Sequence, residues 1–378
     1  MSEVRRVLHI FGRLGLGGAE SRTMDLYRRI DRTVIQFDFL VHTQEEEFYD
    51  AEAQALGARI YRVPRFNGRN LLTYRRALQQ LFETHRGTWS AVHGHMTSTA
   101  AFYLPIARRN GVPLTIAHAR SAGVDPGFKG FVTRLLRLPL SWRGFCDLRL
   151  ACTREAGISV FGRRRMEAGD VLLWPNAIDL SQYHADRDAG ERMRAAFGIP
   201  DGVLVIGHVG SFRYAKNHEY LLRICAALKA QGTDVRLLLI GDGERRGQIE
   251  ALSEELGIRP QTIFAGNRGD VADCLQAVDV FVFPSRYEGL PGSVIEAQAS
   301  GLPCLISDRI STEVDITALV ERRSIDENPA QWAGRILALR SGGSGEIDSA
   351  QIREQLRAAG YDVDEQAGRL QEIYQRGK

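Results

Sequence analysis

Short apolar runs alternate with amphipathic segments along most of this 378-residue chain, and the alternation starts twice. Runs of strand length fall at 7–11, 36–41, 90–95, 114–118, 147–152 and 171–174, and again at 203–207, 235–240, 262–265, 279–283 and 303–307. Segments of helical period lie between them, for example at 71–85, 97–110, 218–231 and 247–257. Strands that alternate with helices favour a parallel sheet covered on both faces. The chain is therefore predicted to be an α/β protein with two such sheets.

The length of the chain and the restart of the pattern predict two Rossmann-like, doubly wound domains, at 1–180 and 201–360. The polar stretch 181–200 between them is interpreted as a linker. Residues 361–378 have the amphipathic period of a C-terminal helix. Ligands of such sheets gather at the carboxyl ends of the strands, so candidate site residues are sought there.

The composition, with 44% hydrophobic and 25% charged residues, is typical of a globular protein. No apolar run reaches the length of a membrane span, and the N-terminus has no signal-peptide pattern, which predicts a cytoplasmic protein. The cysteines have neither zinc-site nor disulfide spacing and are expected to be reduced and mostly buried. They are Cys146, Cys152, Cys225, Cys274 and Cys304.

The charges are unevenly distributed. Residues 1–180 contain 26 Lys and Arg against 17 Asp and Glu, whereas the remainder contains 23 against 29. A basic first half favours an anionic partner there, either a lipid headgroup or a phosphorylated acceptor. Nucleic acid is disfavoured because the chain has no helix-turn-helix pattern and no basic motif interleaved with aromatic residues.

The segment 281–308 combines several signals of ligand binding. Glu288 and Glu296 lie eight positions apart, on either side of the turn Gly289-Leu290-Pro291-Gly292. An apolar run precedes them and a helix-like run follows, and the N–H groups at such a helix start favour a phosphate. A carboxylate beside a phosphate site can accept hydrogen bonds from vicinal hydroxyls, which suits a nucleotide sugar. The alternative is a surface loop with two solvated glutamates.

This segment resembles the E-x7-E motif of the retaining GT-B glycosyltransferases of family 4. The resemblance implies two Rossmann-like domains facing across a cleft, with the last helix packed back on the first domain. It also implies that Glu296 holds the donor ribose and that Glu288 lies near the donor sugar. The backbone amides of Leu290, Pro291 and Gly292 would face the sugar hydroxyls and the distal phosphate.

A second segment, 208–219, follows an apolar strand and opens a helix. Cations at a helix start oppose the helix dipole, so Arg213 and Lys216 favour phosphate binding over a role as ordinary surface charges. The family has a glycine, a basic residue and then a lysine five positions later. Gly210 and Lys216 match this pattern, but Ser211 occupies the basic position, and Arg213 is taken as its substitute. The resemblance implies that both cations stabilise the departing diphosphate without a metal.

Three further features belong to the first half. His118 ends a strand where, by resemblance, a histidine contacts the donor sugar, although a histidine at a strand end is often structural. His95 ends another strand and is either an acceptor-side residue or a structural one. The turn with Gly15, Gly17 and Gly18 lacks the dinucleotide Gly-x-Gly-x-x-Gly spacing and resembles the family's loop beside the acceptor or the reacting phosphate. A structural tight turn is the alternative.

By resemblance, Gly241, Asn267 and Arg268 also line the donor site. Asp362-Val363-Asp364 has the form of a metal-binding pair, but it lies in the C-terminal helical tail and is discounted. No metal or cofactor is expected, with the nucleotide sugar as co-substrate.

The segment 128–145 mixes Phe, Leu and Trp with Lys129, Arg134, Arg137 and Arg143 and contains no acidic residue. This composition fits a peripheral contact with an anionic membrane, since an apolar face flanked by cations lies well at a bilayer surface. A buried helix with solvated arginines is the alternative, and Pro139 limits the length of any helix.

Together these features predict a retaining glycosyltransferase that moves a hexose from a nucleotide-diphosphate donor, with UDP-sugar favoured. The predicted acceptor is a free or polyprenyl-linked glycan of bacterial polysaccharide biosynthesis. A nucleotide-sugar epimerase is the nearest enzymatic alternative, and a Rossmann dehydrogenase is disfavoured by the missing dinucleotide fingerprint. A non-catalytic GT-B protein that binds a glycan or nucleotide is the alternative for which Ser211 leaves room.

Overall fold

The computed structural model describes residues 4–121, 123, 128–341 and 348–377, without the side chains of Phe128 and Lys129. The chain divides into two compact units. Unit 1 comprises Met1–Asp179 with Gly360–Lys378, and unit 2 comprises Leu180–Ala359. Each unit contains one parallel sheet with helices, which confirms the predicted fold class.

Unit 1 has a seven-stranded sheet. Its strands are β1 (Arg5–Phe11), β2 (Ile35–Val41), β3 (Ile60–Arg62), β4 (Trp89–Gly94), β5 (Leu114–Ala119), β6 (Leu148–Ala151) and β7 (Leu172–Leu173). They pair in parallel in the order β3-β2-β1-β4-β5-β6-β7. The helices are α1 (Gly18–Arg29), α2 (Asp50–Ala55), α3 (Leu71–Thr84), α4 (Ala100–Arg109), α5 (Phe128–Arg137), α6 (Arg154–Phe161) and α7 (Arg163–Glu167).

Unit 2 repeats this arrangement with six strands. They are β8 (Leu204–Val209), β9 (Val235–Ile240), β10 (Thr262–Gly266), β11 (Val280–Phe283), β12 (Cys304–Ser307) and β13 (Val320–Arg323). Their parallel order is β10-β9-β8-β11-β12-β13. The helices are α8 (Arg187–Ala196), α9 (His218–Ala230), α10 (Arg246–Glu255), α11 (Val271–Gln276), α12 (Gly292–Ala299), α13 (Pro329–Ser341) and α14 (Ser349–Ala358).

The central strands are buried along nearly their whole length, as expected for sheets covered on both faces. Two apolar clusters share the strand side chains of unit 1, with Leu8 and Ile10 in one and Val7 and Phe11 in the other. All five cysteines are buried and free, as predicted.

Residues 181–200, which the sequence indicated as a linker, contain α8 and belong to unit 2. The Asp186 carboxylate accepts a hydrogen bond from the Ala189 N–H and caps the helix. A Cβ atom on Gly190 would lie 2.7 Å from the Gln276 carbonyl oxygen, so α8 packs directly on the end of α11. The polar composition therefore reflects a surface helix and not a loose connection.

The last helix, α15 (Val363–Arg376), lies in unit 1 against α1 and β1. The Asp362 carboxylate accepts hydrogen bonds from the Asp364 and Glu365 N–H groups and caps this helix. Asp364 pairs with Arg29 at 2.9 Å. Both aspartates of the Asp-x-Asp pair therefore stabilise the helix start and its packing.

None of the described helices is both long enough and apolar enough to cross a bilayer.

Candidate functional site

In unit 2, Lys216 and Glu288 form an ion pair at the carboxyl ends of β8 and β11. The Lys216 Nζ atom lies 2.8 Å from the Glu288 Oε1 atom, and the side chains are 15% and 22% exposed. The same ammonium group lies 4.5 Å from the centroid of the Phe283 ring. The site thus holds a cation and a carboxylate together, partly shielded from water.

The two loops that carry this pair are fastened to each other by backbone groups. Asn217 has a left-handed backbone with φ 55°, and its amide Nδ2 donates to the Pro284 carbonyl at 3.0 Å. The Arg286 N–H donates to the Ala215 carbonyl at 2.8 Å. These bonds limit how far Lys216 and Glu288 can separate.

Glu296 lies on α12, one turn after the helix start, and is only 8% exposed. Pro291 is the N-cap of α12, and none of the described side chains caps this helix. Pro291 is buried, and Leu290 and Gly292 are half-buried. The first turn of α12 therefore offers N–H groups beside a buried carboxylate, which is the arrangement that an anionic, hydroxylated ligand needs.

Gly241 and Gly210 bring the loops after β9 and β8 into direct backbone contact. A Cβ atom on Gly241 would lie 2.3 Å from the Gly210 carbonyl oxygen, and its φ of +131° disfavours any other residue. The structure thus gives Gly241 a packing role. Asn267 and Arg268, after β10, are exposed, and Arg268 donates to the Asp270 carboxylate at 2.7 Å from its Nε atom.

Arg213, the predicted substitute for the basic residue missing at Ser211, is exposed, and no described residue forms an ion pair with it. Sequence reasoning missed a neighbouring cluster around Glu219. Arg245 lies 2.6 Å from this carboxylate and Arg286 lies 4.0 Å from it. The Arg286 guanidinium also stacks 4.4 Å from the Tyr214 ring. The only sequence signal was the position of Arg286 beside Glu288.

In unit 1, the turn with Gly15, Gly17 and Gly18 leads from β1 into α1. The Gly17 N–H donates to the Gly15 carbonyl at 2.8 Å, and Gly17 is the N-cap of α1. The Glu20 side chain folds back over Gly17, because a Cβ atom there would lie 2.2 Å from its Oε2 atom. Burial raises the pKa of Glu20. The close atoms belong to the end of a flexible side chain, so this approach does not by itself require a glycine at position 17.

His95 and His118 lie side by side, with ring centroids 5.4 Å apart. Two histidines that sequence reasoning did not assign, His9 on β1 and His93 on β4, complete a buried group. Burial is the main cause that lowers the pKa of all four rings, with Arg120 adding to it, and the pKa of His9 falls to about 3. The four imidazoles are therefore neutral at physiological pH.

The nitrogen atoms of His9, His93 and His95 lie within 4.8 Å of one another, which is a spacing that could suit a metal ion. These nitrogens are, however, hydrogen-bonded to one another, to Tyr374 and to the cationic Arg120. A fixed positive charge at this distance opposes a second cation. The arrangement favours a hydrogen-bonded cluster of rings over a metal site.

The segment 128–145 exposes a surface of apolar side chains, namely Phe131, Leu135, Leu138 and Trp142. Arg134 and Arg143 are exposed on the same segment. Arg137 is instead buried, which corrects the expectation that it contributes a surface charge, and burial lowers its pKa. The side chains of Phe128 and Lys129 lie outside those described. A surface cavity of about 630 Å³ beside Trp142 is lined by Arg143, Arg163 and Arg164.

The chain matches two protein-family models. The model for glycosyl transferases group 1 covers residues 190–360, and the model for the glycosyl transferase 4-like domain covers residues 17–147. The chain is 37% identical to the putative glycosyltransferase EpsF of Bacillus subtilis (strain 168) over 376 residues, which is 99% of this chain and 97% of that protein.

The chain is also similar to proteins of lower sequence identity. The UDP-Gal:alpha-D-GlcNAc-diphosphoundecaprenol alpha-1,3-galactosyltransferase of Escherichia coli is 24% identical over 224 residues, or 58% of each protein. The crystal structure of Anabaena Alr3699/HepE with UDP is similar to this one with a TM-score of 0.78 at 15% identity, over 99% of this chain and 100% of that one. The same protein has also been solved with UDP-glucose.

Proposed function

Because the chain belongs to the group 1, family 4 glycosyltransferases and has their GT-B fold, we propose that it builds a polysaccharide by moving a hexose from a UDP-sugar with retention of configuration. The observation that carries this proposal is the contact of 2.8 Å between Lys216 and Glu288 at the carboxyl ends of β8 and β11. UDP is favoured as the nucleotide because HepE binds UDP and UDP-glucose, and because the Escherichia coli relative is named for UDP-Gal.

Lys216 acts on the leaving group. When the donor binds, the ammonium group donates to the diphosphate, which carries two negative charges against the single charge of Glu288. The bond between the anomeric carbon and the phosphate oxygen then breaks, and the acceptor oxygen bonds to that carbon on the same face. The acceptor proton passes to the departing diphosphate. Charge builds on that group in the transition state, so Lys216 stabilises the transition state more than the bound donor. This scheme needs no metal ion.

Glu296 and α12 hold the rest of the donor. A buried carboxylate that accepts from two vicinal hydroxyls forms strong, charge-assisted hydrogen bonds, which suits the ribose of a nucleotide. The uncapped N–H groups at the start of α12 suit the distal phosphate and the sugar hydroxyls. Glu288, released from Lys216, would then lie near the transferred sugar.

The proposed acceptor is a glycan, free or linked to a polyprenyl diphosphate. Support comes from the name of the Escherichia coli relative, whose substrate is a diphosphoundecaprenol. The exposed apolar side chains around Trp142, with Arg134 and Arg143 beside them, would rest on the anionic membrane that contains such an acceptor. Unit 1 would thereby approach a substrate that does not leave the bilayer.

The test is release of UDP from UDP-Glc, UDP-Gal, UDP-GlcNAc and UDP-glucuronate in the presence of polyprenyl-diphosphate glycans. Release from one donor, at the same rate with and without EDTA, and an α-linked product would support the proposal. Nucleotide or glycan binding without release from any donor would favour the non-catalytic binding protein, for which the serine at position 211 leaves room.

A further inference from the structure

Arg137, at the end of α5, is a buried guanidinium for which the described residues provide no partner. Its side chain is 9% exposed, and its Nε and Nη1 atoms are buried without a hydrogen bond to any described residue. These two atoms carry three of the five N–H donors of a guanidinium. Burial is the one cause that lowers the pKa of Arg137, so no carboxylate among the described residues compensates its charge. A buried charge without a partner destabilises a fold, and this one therefore needs an explanation.

The turn that follows α5 provides partners for other arginines of unit 1. The buried Arg149 donates from its Nε atom to the Leu140 carbonyl at 2.9 Å and from its Nη2 atom to the Trp142 carbonyl at 2.6 Å. The half-buried Arg165 donates from its Nε atom to the Ser141 carbonyl at 2.7 Å. Arginines that stabilise this turn are thus hydrogen-bonded to it, and the guanidinium at the end of α5 is not one of them.

The surroundings of Arg137 are positively charged. Arg134 lies one turn earlier on α5 and is exposed, and two cations three positions apart on a helix repel each other. The segment 128–145 contains no acidic residue. The last turn of a helix favours cations, but this attraction leaves the N–H donors of Arg137 without acceptors. An anion bound to both guanidinium groups would supply the acceptors and remove the repulsion.

Exposed apolar side chains beside the two arginines indicate which kind of anion fits. Phe131, Leu135 and Leu138 are 56%, 48% and 55% exposed, and their spacing of four and three positions places them on one face. Each arginine immediately precedes one of the leucines, so the anion would lie at the edge of this apolar face. A ligand with an anionic head and an apolar body covers both features, whereas an inorganic anion leaves the apolar face in water.

We infer that Arg137 and Arg134 form a binding site for the headgroup phosphate of an anionic phospholipid. The Nη2 atom of Arg137 is not among its buried atoms, so a phosphate at the surface meets this nitrogen first. The flexible stem then lets the guanidinium turn outward and offer its other donors, as long cationic side chains do at a bilayer surface. A guanidinium holds a phosphate through two parallel N–H bonds. The inference rests on the membrane contact of the proposed function and not on the transfer of a sugar.

The test compares Arg137→Met with Arg76→Met, which removes one exposed arginine from α3 of the same unit. Binding of the full chain to phosphatidylglycerol vesicles is measured by co-sedimentation over a titration of lipid. Arg137→Met should weaken binding by ~5-fold or more, because the phosphate loses a hydrogen-bonded cation at the surface. Arg76→Met should bind as the unaltered protein does. Equal affinities of the two variants would overturn the inference, since the number of charges and not the site would then determine binding.

The Tm without lipid separates a ligand-binding arginine from a structural one. Arg137→Met should keep or raise the Tm, because methionine fills a similar space without an unpaired charge. Arg149→Met, which removes the guanidinium bonded to two carbonyls, should lower it. A decrease in Arg137→Met as large as that in Arg149→Met, or failure of Arg137→Met to fold, would overturn the inference, because Arg137 would then be stabilised within the protein.

Two further measurements identify the source of the phosphate and the relation to the proposed function. Calorimetric titration with inorganic phosphate should show no binding, and binding that is lost in Arg137→Met would replace the lipid by a free phosphate. Release of UDP is measured on the same preparations. A loss of vesicle binding specific to Arg137→Met, in a protein that releases no UDP, would support the lipid site and contradict the proposed transfer. Release of UDP with equal vesicle binding by all the variants would contradict the lipid site alone.

Discussion

The Lys216 ammonium group and the Glu288 carboxylate, 72 positions apart in the sequence, meet at 2.8 Å where β8 and β11 end. Each compensates the charge of the other in a partly buried place, where a lone charge is costly. A diphosphate that bound there would compete with Glu288 for Lys216. On the proposed function, the pair would exchange between this arrangement and one in which Lys216 contacts the donor.

Lys216→Ala is expected to reduce kcat by ~10²-fold or more, because charge on the leaving diphosphate loses its nearest cation. The measurement is UDP release at saturating donor. Lys229→Ala is the matched control, since Lys229 is a surface lysine of the same unit whose Nζ atom donates to the Gly257 carbonyl at 2.7 Å. Full turnover of the Lys216 variant would remove the role assigned to that residue.

Glu296→Gln should weaken donor binding by ~10-fold or more, because the ribose hydroxyls lose a charged acceptor. The effect should appear in KM for the UDP-sugar, with a much smaller change in kcat. Glu254→Gln, at an exposed position of α10, is the matched control and should leave KM unchanged. A change confined to kcat would place Glu296 at the reacting atoms and not at the ribose.

Gly241→Ala should lower the Tm of the protein. Its Cβ would overlap the Gly210 carbonyl oxygen at a backbone φ of +131°, so the expected loss is ~2 kcal/mol or more. Gly269→Ala, where a Cβ would meet nothing within 4 Å, should change the Tm little. The Tm of both variants is measured by calorimetry. Equal Tm values would mean that the loops after β8 and β9 can move apart without loss of stability.

The free energy of unfolding should decrease as the pH is lowered below about 6.5. Burial, with Lys216 and Arg245 nearby, lowers the pKa of His218 to about 3 from its ordinary value of 6.5. Between these values the unfolded chain binds a proton that the folded protein does not, so the free energy of unfolding decreases as the pH falls. Each such ring contributes ~1.4 kcal/mol per pH unit once its unfolded form is protonated. His9, His93, His95, His118 and His208 act in the same direction.

Urea unfolding of His218→Phe at pH 7.5, 6.0 and 5.0 measures how much of this pH dependence is due to His218. The ring stacks on Phe212 with centroids 4.1 Å apart, so phenylalanine preserves the packing. The variant should lose less stability on acidification than the unaltered protein. The same loss in both would show that His218 takes up its proton in the folded state.

The exposed apolar surface should bind anionic vesicles. The protein is expected to float with phosphatidylglycerol vesicles and not with phosphatidylcholine vesicles, because apolar insertion and the charges of Arg134 and Arg143 act together. Changing Phe131 and Trp142 to Ser should abolish recovery. Phe48→Ser, at another exposed position of unit 1, should not. Equal and negligible recovery of the unaltered protein from both vesicles would contradict membrane contact.

Much of the fold could be predicted because buried parallel strands are continuous apolar runs, such as 237–240 and 280–283. The edge strand β13 has the sequence Val-Glu-Arg-Arg, which lacks that signal and was missed. Asp186 and the polar face of α8 looked like a linker because a surface helix and a solvated loop share one composition. Local patterns report burial well and distinguish exposed elements poorly.

The residues of the candidate site were proposed from the sequence, and they stay a prediction, but their contacts could not be proposed at all. Two separate segments of the sequence indicated Lys216 and Glu288, and only the tertiary structure shows that the two side chains form an ion pair. Tyr374 gave no signal at all, since its contact with His93 joins residues 281 positions apart. Such a contact depends on where α15 packs, and the amphipathic period of that helix does not specify its partner.

The nucleotide-sugar site of unit 2 is tested by calorimetric titration of the full chain with UDP, GDP and ADP and with the corresponding sugar nucleotides. Selective binding of UDP and of one UDP-sugar is predicted for the unaltered protein and for Lys229→Ala. The same titration of Lys216→Ala and Glu296→Ala should show binding weakened by ~10-fold or more. Binding of no nucleotide, or equal binding by all four proteins, would contradict a nucleotide-sugar site built on Lys216, Glu288 and Glu296.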